Sequence, residues 1–269
     1  MILIAQPRNP HNPPALTAVA DALLARLHAA NPTLDLDVQV DSAPIKVPAD
    51  SPAYTRHACA RNHLIDTRLR DEHTHVLWID SDLIDYPADL PTRLWGVAMG
   101  RRCPACFDTA IAFHAHGFGD CGACGYSWLQ MGHGKEAITA PVVTLDYHEG
   151  RDYGGMNWPD RFYDIGGFIE NGRRVRMHKP WFDQPGPMYD LDSVGCCYLI
   201  PAWLYREGVR YAPPGLPHYR RWQGGGVGPF CVEHYSVMRA AAAAGLRIVA
   251  LGEVRAVHAW LPDYGLELT

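Results

Sequence analysis

No stretch of the 269-residue chain approaches the ~18 consecutive apolar residues that a membrane-spanning helix requires, so no membrane partner is expected. A basic start followed by a long apolar stretch is also missing. Met1-Ile2-Leu3-Ile4-Ala5 runs straight into Gln6-Pro7-Arg8, which gives no signal peptide and makes the cytoplasm the expected compartment. Positive charge is scarce: 24 lysines and arginines stand against 29 aspartates and glutamates, for a formal net charge of -5. Without a broad basic field, any contact with nucleic acid has to come from a local patch. Internal repeats are absent. Apolar residues are not scarce. With 48% hydrophobic and 20% charged residues the composition is that of an ordinary globular protein, long enough to bury a full core in one large α/β domain or two small ones.

Asp80-Ser81-Asp82 leaves the end of the apolar run Val76-Leu77-Trp78-Ile79, where a buried strand would surface. In an open α/β sheet ligands collect outside the carboxyl ends of the strands. A carboxylate pair there can hold a divalent metal against a diphosphate; the plainer reading is a solvated turn, since aspartate is a common turn residue.

Four of the eight cysteines form one compact pattern, Cys103-x2-Cys106 and Cys121-x2-Cys124, with fourteen residues between the pairs. Each C-x-x-C can present two thiolates to one tetrahedral ion, so the pattern predicts a closed structural zinc site. Redox dithiols or two disulfides are the alternative, and the missing signal peptide disfavours them. His114 and His116 lie between the knuckles and could replace a cysteine, though four thiolates leave them unneeded. Cys59, Cys196, Cys197 and Cys231 read as small buried apolar residues.

Along the chain, residues 2–5 read as a first strand and 7–14 as a proline-rich loop. Leu16, Val19, Leu23 and Leu27 mark a helix over 15–29. A strand at 34–40, a helix at 54–69 and a strand at 76–79 complete a βαβαβ start of parallel type. A helix at 89–99 follows. The cysteine segment, 101–127, interrupts this rhythm and reads as a small insertion carried by one domain that spans residues 1–269. Strands at 140–145 and 194–200 resume the sheet, and an alanine-rich helix at 231–244, stopped by Gly245, precedes short strands at 247–251 and 254–257.

Several pieces stand in a recognisable order: Ala60-Arg61-Asn62 ahead of the aspartate strand, Tyr86-Pro87-Ala88-Asp89-Leu90 after it, Ala140-Pro141-Val142-Val143, Phe162-Tyr163-Asp164, Leu191-Asp192-Ser193-Val194-Gly195, and Val232-Glu233-His234 opening the last helix. In this collinearity the chain resembles a glycosyltransferase of the GT-A fold, and within it the fungal mannan-polymerase type of mannosyltransferase. The likeness covers nearly the whole chain except the cysteine segment. It implies an α/β, GT-A (Rossmann-like) nucleotide-sugar transferase fold with a small zinc-ribbon insertion, acting as a metal-dependent hexosyltransferase on a UDP- or GDP-sugar.

The resemblance also implies roles. Asp82 ligates Mn2+ or Mg2+, Asp80 holds the ribose or the metal's water shell, and His258 completes the metal site; a buried strand histidine is the plain reading of the last. Arg61 suits a diphosphate or a carboxylate through its forked donors, and a surface helix arginine is the plain reading. Gln6 and Arg8 leave the first strand where the nucleotide base sits. Glu233 and Asp192 are the acceptor-side carboxylates: Glu233 is the general base if the reaction inverts, and orients the acceptor if it retains. Either could instead cap a helix. Gly224-Gly225-Gly226-Val227-Gly228 suits a loop closing over donor, or a loose connection.

The acceptor is open between a glycan and a hydroxymethylated DNA base. Arg173-Arg174-Val175-Arg176 with Trp181-Phe182, and Tyr219-Arg220-Arg221-Trp222, mix cations with aromatics that stack on sugars or on bases alike, a solvated charge run being the plainest reading. A reading from a different class is a nucleic-acid-binding zinc-ribbon protein on a GT-A-like scaffold without catalysis.

Overall fold

The computed structural model describes residues 1–8, 12–41, 53–114, 118–129, 136–146, 168–170, 174–176, 186–211 and 234–259. The predicted residues Glu233, Cys231, His116, the Phe162-Tyr163-Asp164 segment, the glycine run 224–228 and most of the two cation-aromatic segments lie outside these.

Strand β1 (Ile2–Pro7) leads into helix α1 (Pro14–Ala30), strand β2 (Leu36–Asp41), helix α2 (Ala53–Arg68) and strand β3 (His75–Ile79). Helix α1 buries Leu16, Ala20, Leu23, Leu24 and Leu27, a stripe at the helical period that needs an apolar partner. Asn31 ends it: the buried amide donates to Leu27 O at 2.7 Å and Ala88 O at 2.8 Å, satisfying a helix-end carbonyl and tying the helix to a turn distant in sequence.

Strand β1 pairs in parallel with β2 and with β3. Parallel strands are covered on both faces, which is why β3 reads as an unbroken apolar run and is buried at every position. The sheet continues through β12 (Cys197–Pro201), antiparallel to β3, then β8 (Ile138–Leu145), β13 (Ile248–His258) and β11 (Met188–Asp190), in the order β2-β1-β3-β12-β8-β13-β11. The α/β class predicted from the sequence is the one observed, with a Rossmann-like parallel half and a mixed half. Alternate residues of each strand face two cores. Helix α1 and α3 (Leu90–Ala98) cover one; α2, α4 (Trp203–Arg206) and α5 (His234–Ala243) cover the other. Among the described residues no helix is long and apolar enough to cross a membrane.

Two details shape the site. Proline at 141 cannot donate to the ladder; beside it β13 is irregular between Leu251 and Arg255, so the two strands read from the sequence are one bulged strand. Short strand β4 (Leu83–Asp85) pairs antiparallel with the end of β13, setting Leu83 opposite His258.

The cysteine segment forms its own three-stranded antiparallel sheet, β5 (Ile111–Phe113), β6 (Phe118–Cys121) and β7 (Ser127–Leu129). A two-stranded pair, β9 (Phe168–Glu170) and β10 (Arg174–Arg176), completes the described elements.

Candidate functional site

The aspartate pair emerges from the carboxyl end of β3. Asp80 N–H donates to Cys196 O at 2.9 Å, which ties this end of the strand to the residue entering β12. Between the two aspartates, Ser81 Oγ accepts from the Asn12 amide at 2.9 Å, so the loop after β1 is fastened to the same rim.

Asp82 is carried directly into β4, whose pairing with β13 brings it beside His258. Ala259 N–H donates to Asp82 O at 2.8 Å, and Asp82 Oδ2 lies 3.1 Å from His258 Nε2. His258 Nδ1 faces Ala259 O at 2.8 Å. Both ring nitrogens therefore meet acceptors, which suits an imidazolium. Burial opposes that charge, but the Asp82 carboxylate outweighs it and lifts the His258 pKa to about 9. Burial likewise opposes charge on Asp82, while His258 beside it pulls its pKa below the usual carboxylate range. The other oxygen, Asp82 Oδ1, is buried and has no hydrogen-bond partner among the described residues. Buried polar atoms are normally satisfied, so this one marks a place where a positive group fits. A divalent cation entering here would displace the Nε2 proton, since only the neutral imidazole ligates a metal, and would then meet an aspartate oxygen and an imidazole nitrogen at one point.

Asp80 is engaged differently. Arg61, only 2% exposed on α2, donates from Nη2 to Asp80 Oδ1, and its guanidinium carbon lies 4.9 Å above the Trp78 ring centroid and 5.8 Å from that of Tyr211. Of the partners open to Arg61 in the sequence, the structure gives it a carboxylate. One turn earlier on α2, His57 was not singled out from the sequence. Surrounding protein lowers its pKa, Asp80 and Asp82 pull it up, and Arg61 pushes it down, so its ring belongs to the same electrostatic cluster although its outer edge stays exposed. The i, i+4 spacing of His57 and Arg61, which places both on one helix face, was the available signal.

Gln6 is buried at the end of β1 and accepts from Arg8 Nε and Nη2, each at 3.2 Å, while Arg8 also pairs with Asp21. These two residues stand at the carboxyl end of the neighbouring parallel strand. Asp192 is exposed in the connection from β11 to β12, outside that cluster of named contacts.

The four cysteines do come together. Their sulfurs all lie within 4.8 Å of one another, with Cys103 to Cys124 at 3.8 Å and Cys106 to Cys121 at 3.6 Å. Zinc–sulfur bonds of about 2.3 Å in a tetrahedron require sulfurs about 3.8 Å apart, close to these values and far from a disulfide bond. The two knuckles share one turn. Phe107 N–H donates to Cys103 O and Gly125 N–H to Cys121 O, at 2.9 and 2.8 Å, and the residue after each second cysteine is left-handed, Phe107 at φ 58° and Gly125 at φ 74°. Without an ion the four thiols share their protons unevenly: backbone N–H groups of its own turn draw the Cys121 thiol down to about 7, while burial pushes Cys103 up to about 12. His114 pairs with Asp120 Oδ2 at 2.5 Å rather than with sulfur.

No protein-family model matches the chain, and no curated protein matches it. Among solved structures, GalNAc-T7 with UDP, GalNAc and Mn2+ aligns over 97% of this chain and 44% of its own, at TM-score 0.43 and 10% identity. The chain thus spans less than half the length of that protein. A Desulfovibrio desulfuricans G20 protein, provisionally assigned as a nucleotide-diphospho-sugar transferase, aligns over 93% of this chain and 79% of its own, at TM-score 0.34 and 9% identity. At these scores the ligands in those names belong to those proteins and decide nothing about this one. What this chain's own residues define is an α/β fold with an acid–histidine pair at the carboxyl rim of its parallel strands and a separate four-cysteine centre.

Proposed function

We propose that the chain is a metal-dependent glycosyltransferase of the GT-A type, moving a hexosyl group from a UDP- or GDP-sugar to an acceptor hydroxyl. One observation carries this reading: Asp82 Oδ1, buried without a hydrogen-bond partner among the described residues, beside His258 at the rim where parallel strands end. Asp82 and His258 would hold the cation, with Asp80 beside them. A carboxylate with an imidazole suits Mn2+ better than Mg2+, which favours an all-oxygen shell. When bound, the ion offsets the negative charge gathering on the departing diphosphate.

The protein's own groups do the rest. Arg61 balances the Asp80 charge and fixes its direction, so the second carboxylate is presented without rearrangement. Gln6 and Arg8, at the end of β1, stand on the rim where ligands of such sheets collect and suit the nucleotide. Glu233 and Asp192 are the acceptor-side carboxylates. The four cysteines would hold Zn2+ as a structural centre, the chelating geometry being already formed. The assembly of Asp80, Asp82 and His258 on one rim favours an enzyme over a non-catalytic nucleic-acid-binding zinc-ribbon protein.

A panel of UDP- and GDP-sugars tests this by thermal stabilisation and by hydrolysis, with and without Mn2+. At least one donor stabilises the protein and is hydrolysed only with the ion; no response across the panel refutes the reading. Adding duplex DNA with hydroxymethylated bases in one arm and an oligosaccharide in the other identifies the acceptor by which one becomes glycosylated.

A further inference from the structure

Strand β13 is shared along one edge by two short neighbours. Strand β11 pairs with its first part, setting Met188 opposite Leu251, and β4 with its last, setting Asp85 opposite Val257. Among the described residues no strand lies beside 253–256 on that edge, and a cavity of about 680 Å3 opens at the gap. Small-molecule sites run from about 300 to 1,000 Å3. Neither Asp82 nor His258 lines it, so it is separate from the candidate metal site.

The fold presets its walls. On one side Arg26, from α1, donates to Asp85 Oδ1 at 2.9 Å and to Tyr86 O; both bonds come from Nη2, which leaves Nε and Nη1 for a ligand. On the other, Tyr189 Oη accepts from Gly186 N–H at 2.6 Å, and a Cβ on Gly252 would lie 3.0 Å from the ring, so the tyrosine is held against the bulge. Glu253 and Arg255 line the gap itself. Both are exposed, and among the described residues neither makes a hydrogen bond or an ion pair.

The charges at the cavity cancel, the guanidinium groups of Arg26 and Arg255 standing against the carboxylates of Asp85 and Glu253. A phosphodiester chain is held by an excess of positive charge, which is absent here. A wholly apolar ligand would take water from charged groups without replacing its hydrogen bonds. A free amino acid would leave most of the volume unfilled. A neutral sugar meets each condition: its hydroxyls donate to carboxylates and accept from guanidinium groups, and its C–H faces lie against the surfaces of Tyr189, Pro87 and Pro187.

We propose that this cavity is a binding subsite for a neutral oligosaccharide, with Glu253 and Arg255 as its specificity-determining residues. Asp85 follows Asp82 by three residues of chain, about 10 Å at most, so a glycan seated here extends to the carboxyl rim. Its use as the anchor of a glycan acceptor rests on the function proposed above; the binding of sugar does not.

The test is amide NMR of the full-length protein titrated with cellotriose, maltotriose, mannotriose and N-acetylchitotriose, without donor or metal. At least one of them shifts the amides of Asp85, Ala88, Gly252 and Arg255 saturably. Glu253→Ala and Arg255→Ala each weaken that binding about tenfold or more, the scale of a lost hydrogen bond to a charged group. Both positions are exposed, and an otherwise unchanged spectrum shows that the variants fold. Sugars that leave these amides unmoved, or that bind both folded variants as tightly as the wild type, overturn the proposal. Shifts at the cavity from duplex DNA or a free amino acid, with none from any sugar, overturn it too. Sugar binding at the cavity in a protein that hydrolyses no donor would instead sink the proposed function and leave the subsite standing.

Discussion

Arg61 and Asp80 form an ion pair between the buried face of α2 and the end of β3, with the guanidinium seated on the Trp78 ring from the same strand. The arginine is sealed at 2% exposure while the carboxylate keeps 24%. The pair is therefore half inside the core, where removing one partner leaves the other charge uncompensated.

Arg61→Ala is expected to cost about 3 kcal/mol in urea unfolding, near the low end for a broken buried pair because water still reaches Asp80. Arg61→Lys recovers little of this, since an ammonium cannot both stack on Trp78 and reach the carboxylate. A loss below about 0.5 kcal/mol in Arg61→Ala, the scale of an exposed pair, would contradict the assignment.

Zinc should copurify at one ion per chain. Cys103→Ser and Cys121→Ser remove buried ligands and are expected to abolish zinc content and lower the melting temperature, since zinc binding supplies on the order of 10 kcal/mol to small modules. Metal analysis that finds full zinc in either variant, or none in the wild type, runs against the site.

His75 gives the stability a defined pH dependence. Its ring is 1% exposed, and burial pushes its pKa down to about 4 from 6.5 although the Glu136 carboxylate lies 3.8 Å from Nε2. Above pH 6.5 both folded and unfolded states hold it neutral. Below that the unfolded chain takes up a proton that the folded one refuses, so stability falls as pH drops towards 4, by about 3 kcal/mol in total. His75→Gln should flatten the curve of unfolding free energy against pH between those limits by that amount. An unaltered slope would show that His75 titrates normally.

Gly252 marks the bulge in β13, and a Cβ there would lie 2.1 Å from Gly186 O, a backbone atom that cannot swing aside. Gly252→Ala is expected to cost about 2 kcal/mol in thermal or urea unfolding. It should also weaken amide protection at Gly252 itself, whose N–H donates to Pro187 O at 2.9 Å. Wild-type stability in this variant would mean the segments around Gly252 and Gly186 are not in contact.

What could be read from the sequence follows from what each feature depends on. Strand β3 was legible because burial on both faces demands an unbroken apolar run, and α1 because its leucines repeat at the helical period. The cysteine centre was legible because the spacing of a knuckle is local. Strand β13 was read as two pieces, since Gly252-Glu253 breaks the apolar run that the bulge spans without ending the strand. The meeting of Asp82 with His258 depends on three residues of β4 pairing with a strand at the far end of the described chain, too short a signal for periodicity; only the family resemblance pointed there. Arg61 was open between diphosphate and carboxylate, and its contact with Asp80 left no local signal because it depends on how α2 docks on β3.

Calorimetric titration of a stabilising UDP- or GDP-sugar, in the presence and absence of Mn2+, into wild type and Asp82→Asn is the most direct test of the central claim. Asparagine keeps the shape of the side chain and removes the charge. Mn2+-dependent donor binding by the wild type and its loss in Asp82→Asn, with folding intact, is the predicted result; equal, metal-independent binding by both proteins would contradict the account.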